Sequence, residues 1–263
     1  MLRPRIIPCL LVKGAGLVKT VGFGRPKYVG DPINAVRIFN EKEVDELVVL
    51  DIDATAEGRE PDYTLIRNLA AECRMPLCYG GGVSRVDQFE RIVSLGVEKV
   101  SVGAAIVENP NLVGAAARCV GSQSVVVIID ARRDAQTGRR LGWVRNGTVP
   151  TGLTVTDLVR RATELGAGEV VVNNIDLDGS MTGYDLDLAR EVGIATSLPV
   201  TFLGGAGSLT HIRELFRAVG VVGAAAGSLF VFKGSLRAVL INYPRRSDRD
   251  ELCLEVANRS VAS

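Results

Sequence analysis

Two apolar stretches of the chain end differently, one in a carboxylate and the other in a leucine. Residues 124–134 read SVVVIIDARRD, and Asp130 stands where the apolar run ends. Residues 5–12 form a similar run ahead of a glycine-rich loop, and Leu11 takes the place equivalent to Asp130. A carboxylate at the end of a buried strand can act as a general acid or base, whereas leucine carries no exchangeable proton. The chain therefore has one candidate proton-handling group where its own pattern indicates two.

Other charged residues also follow apolar runs. Asp51 and Asp53 end one run, and Asp178 follows another. Acids at strand ends can serve as general acid or base, but for Asp53 we favour the alternative that it caps a helix or pairs with an arginine. Lys19 lies on the glycine-rich loop 14–31 and is a candidate clamp for a phosphate or substrate, with an ordinary surface lysine as the alternative.

Glycines cluster at the ends of four further apolar runs. Glycine lets a backbone N–H approach an anion without a side chain in the way, and a following helix N-terminus adds partial positive charge. The duplicated arrangement predicts a small phosphorylated ligand with two phosphates, and tight turns with packing duties are the alternative. The expected phosphate- or substrate-binding residues are Asp51, Gly81, Gly82, Gly103, Asp178, Gly179, Gly204, Gly205, Gly227 and Ser228.

Composition argues against several classes of function. A net charge of +1 gives no support to nucleic-acid or membrane-surface binding. The longest uncharged apolar run, 218–232, is shorter than the ~20 residues that a membrane helix needs. Five cysteines without CxxC spacing and a single histidine, His211, predict reduced thiols, no metal site and no histidine-activated nucleophile. We expect a cytoplasmic protein without a signal peptide, a membrane association or a cofactor.

The elements that position these residues alternate between short apolar runs and amphipathic segments. Strands are predicted near residues 5–12, 46–52, 76–80, 97–102, 125–130, 169–175, 199–203 and 221–226. The intervening segments have helical spacing, and Ser84 and Thr154 are the predicted N-caps of two of them. Eight strand–helix units in about 250 residues predict an α/β protein with the (β/α)₈ TIM-barrel fold.

The two halves of the chain also resemble each other. Residues 44–55 match residues 167–180, and several other blocks recur at a similar offset of about 120 residues. A repeat of this kind predicts two half-barrels, about residues 1–122 and 123–243, that share one core.

Three segments depart from this compact pattern. They are the loop 14–31, a hairpin-like insert at 133–150, and a tail of mixed charge at 244–263. The sequence therefore predicts a single barrel domain over residues 1–243, followed by a charged C-terminal tail that is expected to be partly disordered.

The ordered motifs resemble the cyclase subunit of imidazole glycerol phosphate synthase over residues 1–240. They include RIIPCLxVK, GDPINA, DELVVLDI, GGGV, GSQSVVVxIDA, GAGEVVV and DxDGxxxGYD. The resemblance implies a (β/α)₈ barrel that forms a heterodimer with a glutaminase-type subunit at its N-terminal face. It implies that ammonia from the glutaminase passes through the barrel and reacts with a bis-phosphorylated ribulosyl formimino intermediate. The products would be imidazole glycerol phosphate and an aminoimidazole carboxamide ribotide.

The chain departs from that family at the mouth of the barrel. Two carboxylates perform the family's acid–base chemistry; Asp130 matches the second, and the first falls on Leu11. The family usually has an Asn-Thr pair where this chain has Gly103 followed by alanine. It usually has a small hydroxyl residue at Asn173 and a serine at Leu203. The resemblance therefore implies a family lyase whose cyclase chemistry is impaired.

The opposite end of the barrel keeps the family pattern. The family closes the base of its ammonia path with four charged residues, which match Arg5, Glu46, Lys99 and Glu169. Two positive and two negative charges can pair internally in a partly desolvated place, where an odd charge would be costly. The resemblance implies an ammonia gate, and ordinary surface charges are the alternative.

Three functions are open on the sequence alone. An intact conduit with impaired chemistry resembles a paralogous branch associated with surface-polysaccharide gene sets, in which the barrel and a glutaminase-like subunit supply ammonia to a separate sugar amidotransferase. The second is an active cyclase in histidine biosynthesis, with Asp51 or Asp178 replacing the missing acid. The third is a scaffold that only activates its glutaminase partner.

Overall fold

Eight parallel strands close into a barrel in the computed structural model, which describes residues 3–234 and 236–262, with side chains up to residue 258. In chain order the strands are β1 (Arg5–Lys13), β2 (Gly16–Lys19), β3 (Lys27–Gly30), β4 (Leu47–Asp51), β5 (Leu77–Gly80), β6 (Lys99–Val102), β7 (Val125–Arg133), β8 (Arg140–Val144), β9 (Val149–Thr154), β10 (Glu169–Asn174), β11 (Val200–Leu203), β12 (Gly223–Ala226), β13 (Phe232–Lys233) and β14 (Ala238–Val239). The barrel runs β1-β4-β5-β6-β7-β10-β11-β12 and closes by pairing β12 with β1. The predicted fold and all eight predicted strands are confirmed.

Helices surround the barrel and connect its strands. They are α1 (Pro32–Glu41), α2 (Tyr63–Glu72), α3 (Val86–Ser94), α4 (Ala105–Glu108), α5 (Asn111–Val120), α6 (Val155–Glu164), α7 (Leu186–Ala195), α8 (Leu209–Val219), α9 (Ser228–Val231) and α10 (Arg246–Ala262). Within the described residues, none of these helices has the length and apolarity needed to cross a membrane.

Local signals explain where two of the helices begin. Thr154 caps α6, since its side chain accepts a hydrogen bond from the backbone N–H of Asp157, as predicted. The predicted cap at Ser84 is wrong, because α3 begins one residue later with Arg85 as its N-cap. The Gln88 side chain accepts from the backbone N–H groups of Ser84 and Arg85, so a glutamine three positions into the helix closes this terminus.

Two barrel strands carry an antiparallel extension above the barrel. β1 continues into the hairpin β2–β3, which lies within the predicted loop 14–31, and β7 continues into the hairpin β8–β9. The insert expected at 133–150 thus forms a hairpin that extends to Thr154. The first strand of each predicted half-barrel thus carries a hairpin of the same kind, which fits a division near residue 122. The division itself stays a prediction.

The apolar side chains form two layers. One large cluster fills the space between the strands and the helices, with Phe39 and Phe89 fully buried in it. A separate small cluster lies inside the barrel and contains Ile7, Val48 and Val171. Because successive side chains of a strand point to opposite faces, the same strands supply both layers.

The segment expected as a charged, partly disordered tail is instead a helix of the barrel wall. Helix α10 buries Leu252 and Val256, which lie four positions apart and so share one helical face. Its Glu255 pairs with Arg213 and Arg217 of α8. With only two strongly buried apolar side chains on a highly charged helix, the sequence signal for packing is weak.

We expect α10 to contribute to the stability of the barrel. Replacing Leu252, which is 2% exposed, with alanine should lower the free energy of unfolding by about 2–5 kcal/mol because it removes buried apolar contacts. The matched change Leu254→Ala removes a side chain that is 62% exposed and should alter it by less than about 0.5 kcal/mol. Equal effects of the two substitutions in urea unfolding would show that α10 does not pack as described.

Candidate functional site

A pocket of about 330 Å³ opens at the carboxyl ends of the barrel strands. Residues of the two hairpin extensions, including Phe23 and Asn146, form part of its wall. Most of the residues predicted from the sequence meet here. They are Leu11, Lys19, Asp51, Gly81, Gly103, Asp130, Asp178, Gly179, Gly204, Gly205, Gly227 and Ser228. Gly82 is not part of the lining. Its backbone N–H donates to the Thr55 hydroxyl oxygen.

Asp130 is the carboxylate best suited to proton transfer in this pocket. Enclosure by the protein raises its pKa to about 7; a hydrogen bond from Asn173 opposes the rise, and the nearby Asp178 adds to it. The Asn173 amide nitrogen lies 3.0 Å from Asp130 Oδ1. A carboxyl group with this pKa can both give and take a proton near neutral pH.

Leu11 occupies the position of the second expected acid and carries no exchangeable proton. Leu11 lies on β1, half-buried, and packs with Leu50, Ile128 and Leu203 against the apolar cluster inside the barrel. Its side chain thus extends the apolar interior into the pocket. Asp130 stands without the second strand-end carboxylate that the family resemblance implied.

Lys19 lies in the pocket as expected but is not a surface lysine. Its side chain is buried, and Nζ donates to the Cys9 carbonyl oxygen at 2.6 Å. Burial lowers the pKa of this ammonium group. A Cβ on Gly227 would lie 2.4 Å from Lys19 Nζ, so a larger residue at 227 would require the ammonium group to shift.

Asp51 and Asp53 have structural partners. Asp51 Oδ1 accepts from the backbone N–H groups of Asp53 and Ala54, each at 3.1 Å, and Arg59 lies 3.4 Å from its other oxygen. Asp53 pairs with Lys13 at 2.8 Å, which agrees with the pairing role favoured for it, although the partner is a lysine. Both carboxylates are therefore bound by neighbouring groups of the protein, which makes them weaker candidates for a general acid.

Asp178 fastens the β2–β3 extension over the pocket. Its Oδ2 accepts from the Thr20 hydroxyl at 2.6 Å and from the Phe23 N–H at 3.3 Å. Its carbonyl oxygen also accepts from the Gly22 N–H at 3.0 Å. These bonds hold the loop that follows Lys19 against the loop that follows β10, so this acid orders the pocket wall.

The glycines at the strand ends have a steric reason that is independent of any ligand. Gly81 has φ +123°, and a Cβ there would lie 2.5 Å from the Asp51 carbonyl oxygen. Gly205 has φ +102°, and a Cβ would lie 1.9 Å from the Gly183 carbonyl oxygen. The tight-turn interpretation thus explains these two residues, and phosphate binding by the glycine turns stays a prediction.

The four charges at the other end of the barrel form a closed ring. Arg5 contacts Glu46 and lies 2.7 Å from Glu169, while Lys99 lies 2.8 Å from each of the same two glutamates. Arg5, Lys99 and Glu169 are the first residues of their strands, and Glu46 directly precedes β4. The Thr201 hydroxyl adds a bond to Glu169 at 2.7 Å.

The ring is largely removed from solvent, and its charges stabilise one another. The glutamate side chains are only 5–6% exposed, against 18% for Lys99 and 26% for Arg5. Burial by itself raises the pKa of Glu169, but Arg5 and Lys99 outweigh it and hold that pKa below the usual value. Burial likewise lowers the pKa of Lys99, and the two glutamates reverse this and raise it. The ring thus favours the charged forms of Glu169 and Lys99.

Between the ring and the pocket the barrel interior is apolar. Its apolar side chains are those of Ile7, Cys9, Val48, Cys78, Val126, Val171 and Ala225. The buried Ser101 lies at the level of Val126, and its hydroxyl donates to the Tyr79 carbonyl oxygen. Such a medium disfavours ions and admits a small neutral molecule at lower cost. The arrangement is a charged base, an apolar middle and a polar mouth.

Several pocket residues were not singled out from the sequence. Cys9, Ser101 and Asn146 line the pocket, and Asn146 donates from its amide to the Ile52 carbonyl oxygen. Cys9 and Ser101 belong to apolar strand patterns that do not distinguish inward from outward residues, and Asn146 lies in a hairpin turn far away in sequence. Among the described residues, no group of three or more His, Cys, Asp or Glu side chains could hold a metal ion.

Comparisons with known proteins agree on one family. The model of the family described as "Histidine biosynthesis protein" matches residues 5–237. The "Putative imidazole glycerol phosphate synthase subunit HisF" of Leptospira borgpetersenii is 54% identical over 252 residues, which cover 96% of this chain and 99% of that protein. The "Putative imidazole glycerol phosphate synthase subunit hisF2" of Pseudomonas aeruginosa is 50% identical over 244 residues (93% and 97%). The "Imidazole glycerol phosphate synthase subunit HisF" of Clostridium botulinum is 40% identical over 233 residues (89% and 92%).

Asp130 should reduce stability as the pH rises. Its folded pKa of about 7 lies above the ordinary aspartate value, so the unfolded chain releases this proton first and stability falls between about pH 4 and pH 7. Asp130→Asn should raise the free energy of unfolding at pH 8 by about 2 kcal/mol, less than the full shift because water reaches the carboxylate through the pocket. The gain should vanish near pH 4.

Urea unfolding between pH 4 and pH 8 measures this difference. The matched control is Asp187→Asn, which neutralises an exposed aspartate and should change stability little at either pH. A gain for Asp130→Asn that is the same at pH 4 and pH 8 would show that its carboxyl group is not titrating in this range.

The stability that the charge ring provides should depend on the balance of its positive and negative charges rather than on any single contact. Lys99→Met leaves two buried carboxylates with one arginine and should lower the free energy of unfolding by about 3 kcal/mol. Adding Glu46→Gln restores one cation and one anion, so the double variant should recover more than about 1 kcal/mol relative to the sum of the two single changes. Arg160→Met, in an exposed pair, should have little effect. Additive losses in the double variant would mean that the four groups do not act as a ring.

Proposed function

The chain belongs to the histidine-biosynthesis family as a HisF-type cyclase subunit of imidazole glycerol phosphate synthase, and we propose that it conducts ammonia from a glutaminase-type partner to an acceptor other than the family's nucleotide intermediate. The observation that carries the proposal is the contrast between the two ends of the barrel. The charged ring at the base is complete, whereas the mouth has one carboxylate where two are expected.

The base of the barrel supports docking of a partner that supplies ammonia. The ring pairs all its charges internally, so its four buried groups are compensated without any bound ligand. A glutaminase-type subunit seated over the N-terminal face would release ammonia next to Arg5 and Lys99. In this proposal the ring is a gate that opens when its ion pairs rearrange.

The interior supports passage of neutral ammonia. A cation entering the apolar layer around Val48 and Val171 would lose its hydration without gaining a partner, which is costly. Neutral NH₃ is small and has a much lower desolvation cost in this layer. The interior would therefore deliver ammonia as the free base, the form that has a lone pair for attack on a carbon centre.

The mouth supports a changed or weakened cyclase reaction. Ring closure in the family rests on two carboxylates, and Leu11 removes one of them. The two candidate substitutes are already engaged, Asp51 by backbone N–H groups and Asp178 by Thr20 and Phe23. Asp130 remains as a pocket carboxylate whose pKa is raised to about 7.

For the acceptor we propose a nucleotide-sugar of surface-polysaccharide synthesis, aminated by a separate sugar amidotransferase. The sequence resemblance to the paralogous branch supports this choice. The chain is also 50–54% identical to the Leptospira and Pseudomonas relatives, whose names include the word "Putative", and only 40% identical to the Clostridium protein, whose name does not. A small phosphorylated ligand at the glycine turns would suit either acceptor.

An active cyclase of histidine biosynthesis is the second candidate. The overall likeness to an imidazole glycerol phosphate synthase subunit over 89% of the chain favours it. It requires that Asp130 alone, or with a displaced Asp51 or Asp178, handles both proton transfers. A purely allosteric scaffold for the glutaminase would need neither the apolar interior nor the pocket.

The isolated chain should be a poor cyclase. Supplied with the family's bis-phosphorylated intermediate and ammonium salt at high pH, it should turn over at least ~100-fold more slowly than ~1 s⁻¹, because losing a general acid or base costs ~10²–10⁴ in rate. Leu11→Asp should raise the rate, and the matched variant Leu11→Asn, which has the same size without a titrating group, should not.

Product formation followed by absorbance or mass spectrometry decides between the candidates. Turnover by the unmodified chain at or above ~1 s⁻¹ would establish the cyclase and reject the proposal. Equal rates for Leu11→Asp and Leu11→Asn would reject the missing carboxylate as the cause of low activity.

A further inference from the structure

Two neighbouring strands, β7 and β10, lead from the apolar interior of the barrel to a polar pair at its mouth. On β10 the inward-facing side chains are Glu169 in the ring, then Val171, then Asn173. The strand register pairs Val171 with Ile128 and Asn173 with Asp130. At ~3.3 Å per residue, Asn173 lies ~13 Å above Glu169 along the strand. Asn173 and Asp130 are thus the first polar pair above the apolar interior on these two strands.

The Asn173 amide is only half satisfied. Its nitrogen donates to Asp130 Oδ1, whereas its own Oδ1 is buried and has no hydrogen-bond partner among the described residues. An ionised carboxylate can only accept hydrogen bonds, so while Asp130 is ionised the amide turns its NH₂ group toward Asp130 and leaves its oxygen on the other side. On that side the paired residue of β11 is Leu203, which offers no side-chain donor.

A buried acceptor without a partner calls for a donor that the protein chain does not supply. Asn173 is 6% exposed and lines the pocket, so the missing donor has to come through the pocket or through the barrel. Lys19 also lines the pocket, but its Nζ donates to the Cys9 carbonyl oxygen and makes no hydrogen bond with Asn173 Oδ1. The oxygen is therefore open to a small hydrogen-bond donor that enters the pocket, and both water and ammonia meet that requirement.

We propose that Asn173 Oδ1 and the Asp130 carboxylate together hold ammonia where it leaves the apolar interior. Each oxygen accepts one N–H of the ligand, and the nitrogen lone pair stays free to attack an acceptor in the pocket. This inference rests on the proposed conduction of ammonia and deepens it by naming the residue pair that receives the ligand. Asn173 is a binding residue, and through its NH₂ group it also positions Asp130.

The chemistry of the pair selects against other ligands. Two acceptor oxygens repel a phosphate or a carboxylate, so the phosphates of an acceptor must bind elsewhere in the pocket. A cation with no N–H group, such as tetramethylammonium, has nothing to donate to Asn173. Ammonia reaches the pair directly from the apolar interior, in which neighbouring inward-facing side chains are those of Val171 and Ile128.

The charge state of Asp130 sets the pH range of the site. The titratable group that acts on it is Asp178, which favours its neutral form. Cys9 faces the same pocket, and burial raises the pKa of its thiol to about 11, with a smaller contribution from Asp130. Lys19 and Asp51 line the same pocket. Above about pH 7 Asp130 is ionised and accepts from both Asn173 and the ligand, and below it the neutral acid loses this capacity. Binding should accordingly strengthen as the pH rises through 7.

The test uses the full chain labelled with ¹³C at the aspartate carboxyl carbons, with the Asp130 signal assigned from its loss in Asp130→Asn. Ammonium chloride is added at pH 8.5 and at pH 9.5, where Asp130 is ionised in both cases and the share of free NH₃ is larger at the higher pH, so binding of NH₃ requires the stronger response at pH 9.5. Tetramethylammonium chloride at the same concentration serves as the salt control. We expect a saturable shift of the Asp130 signal with ammonium only. Asn173→Leu should weaken this response at least ~10-fold, because the response depends on the Asn173 oxygen. The matched surface change Asn34→Leu should leave it intact.

The outcomes separate this inference from the proposed function. Equal shifts with both salts, or an unchanged ammonium response in Asn173→Leu, would overturn the holding site. If Asn173→Leu does not fold, Asn173→Ser supplies the same comparison, since its shorter side chain cannot reach both Asp130 and the ligand. The experiment needs no glutaminase and no acceptor. A positive result would therefore stand even if the chain proved to be an active cyclase, and a negative one would leave conduction to be judged by its own assay.

Discussion

The pairing of four buried charges at the base of the barrel is the constraint on which the rest of the structure depends. Glu46 and Glu169 are almost fully removed from water, and each is compensated by both Arg5 and Lys99. Four residues from distant parts of the chain can meet in this way only if the barrel closes with the observed register. Because one unpaired member would leave a buried charge, the ring favours the register in which these strand ends meet.

The apolar layer above the ring gives the mouth its electrostatic character. Asp130 stands at the upper edge of this layer, where enclosure raises its pKa to about 7. A second carboxylate at Leu11 would add a like charge there and push the pKa values of the two acids apart, as paired acids of hydrolytic enzymes do. With leucine in that place, the pocket keeps one group that titrates near neutrality and gains apolar surface. The two ends of the barrel thus differ in character, with paired charges below and a pocket that combines Asp130 with apolar surface above.

The sequence predicted the barrel well because its signals are periodic and repeated. Each strand is a buried apolar run, and the family register placed Arg5, Glu46, Lys99 and Glu169 correctly because each opens a strand or directly precedes one. Helix α10 was misjudged because it packs through few apolar side chains, chiefly Leu252 and Val256, and otherwise through ion pairs with α8. Contacts of this kind do not produce a clear helical repeat of apolar residues in the sequence.

The origin of the nitrogen in the product tests conduction most directly. The Leu11→Asp chain, in complex with its glutaminase-type partner, would receive the family's nucleotide intermediate, glutamine labelled with ¹⁵N at the amide, and an excess of unlabelled ammonium. If ammonia travels through the barrel, the imidazole product carries ¹⁵N at the enrichment of the glutamine. Product at the enrichment of the bulk ammonium would show that ammonia reaches the mouth from solvent, and would contradict a conduit through the ring.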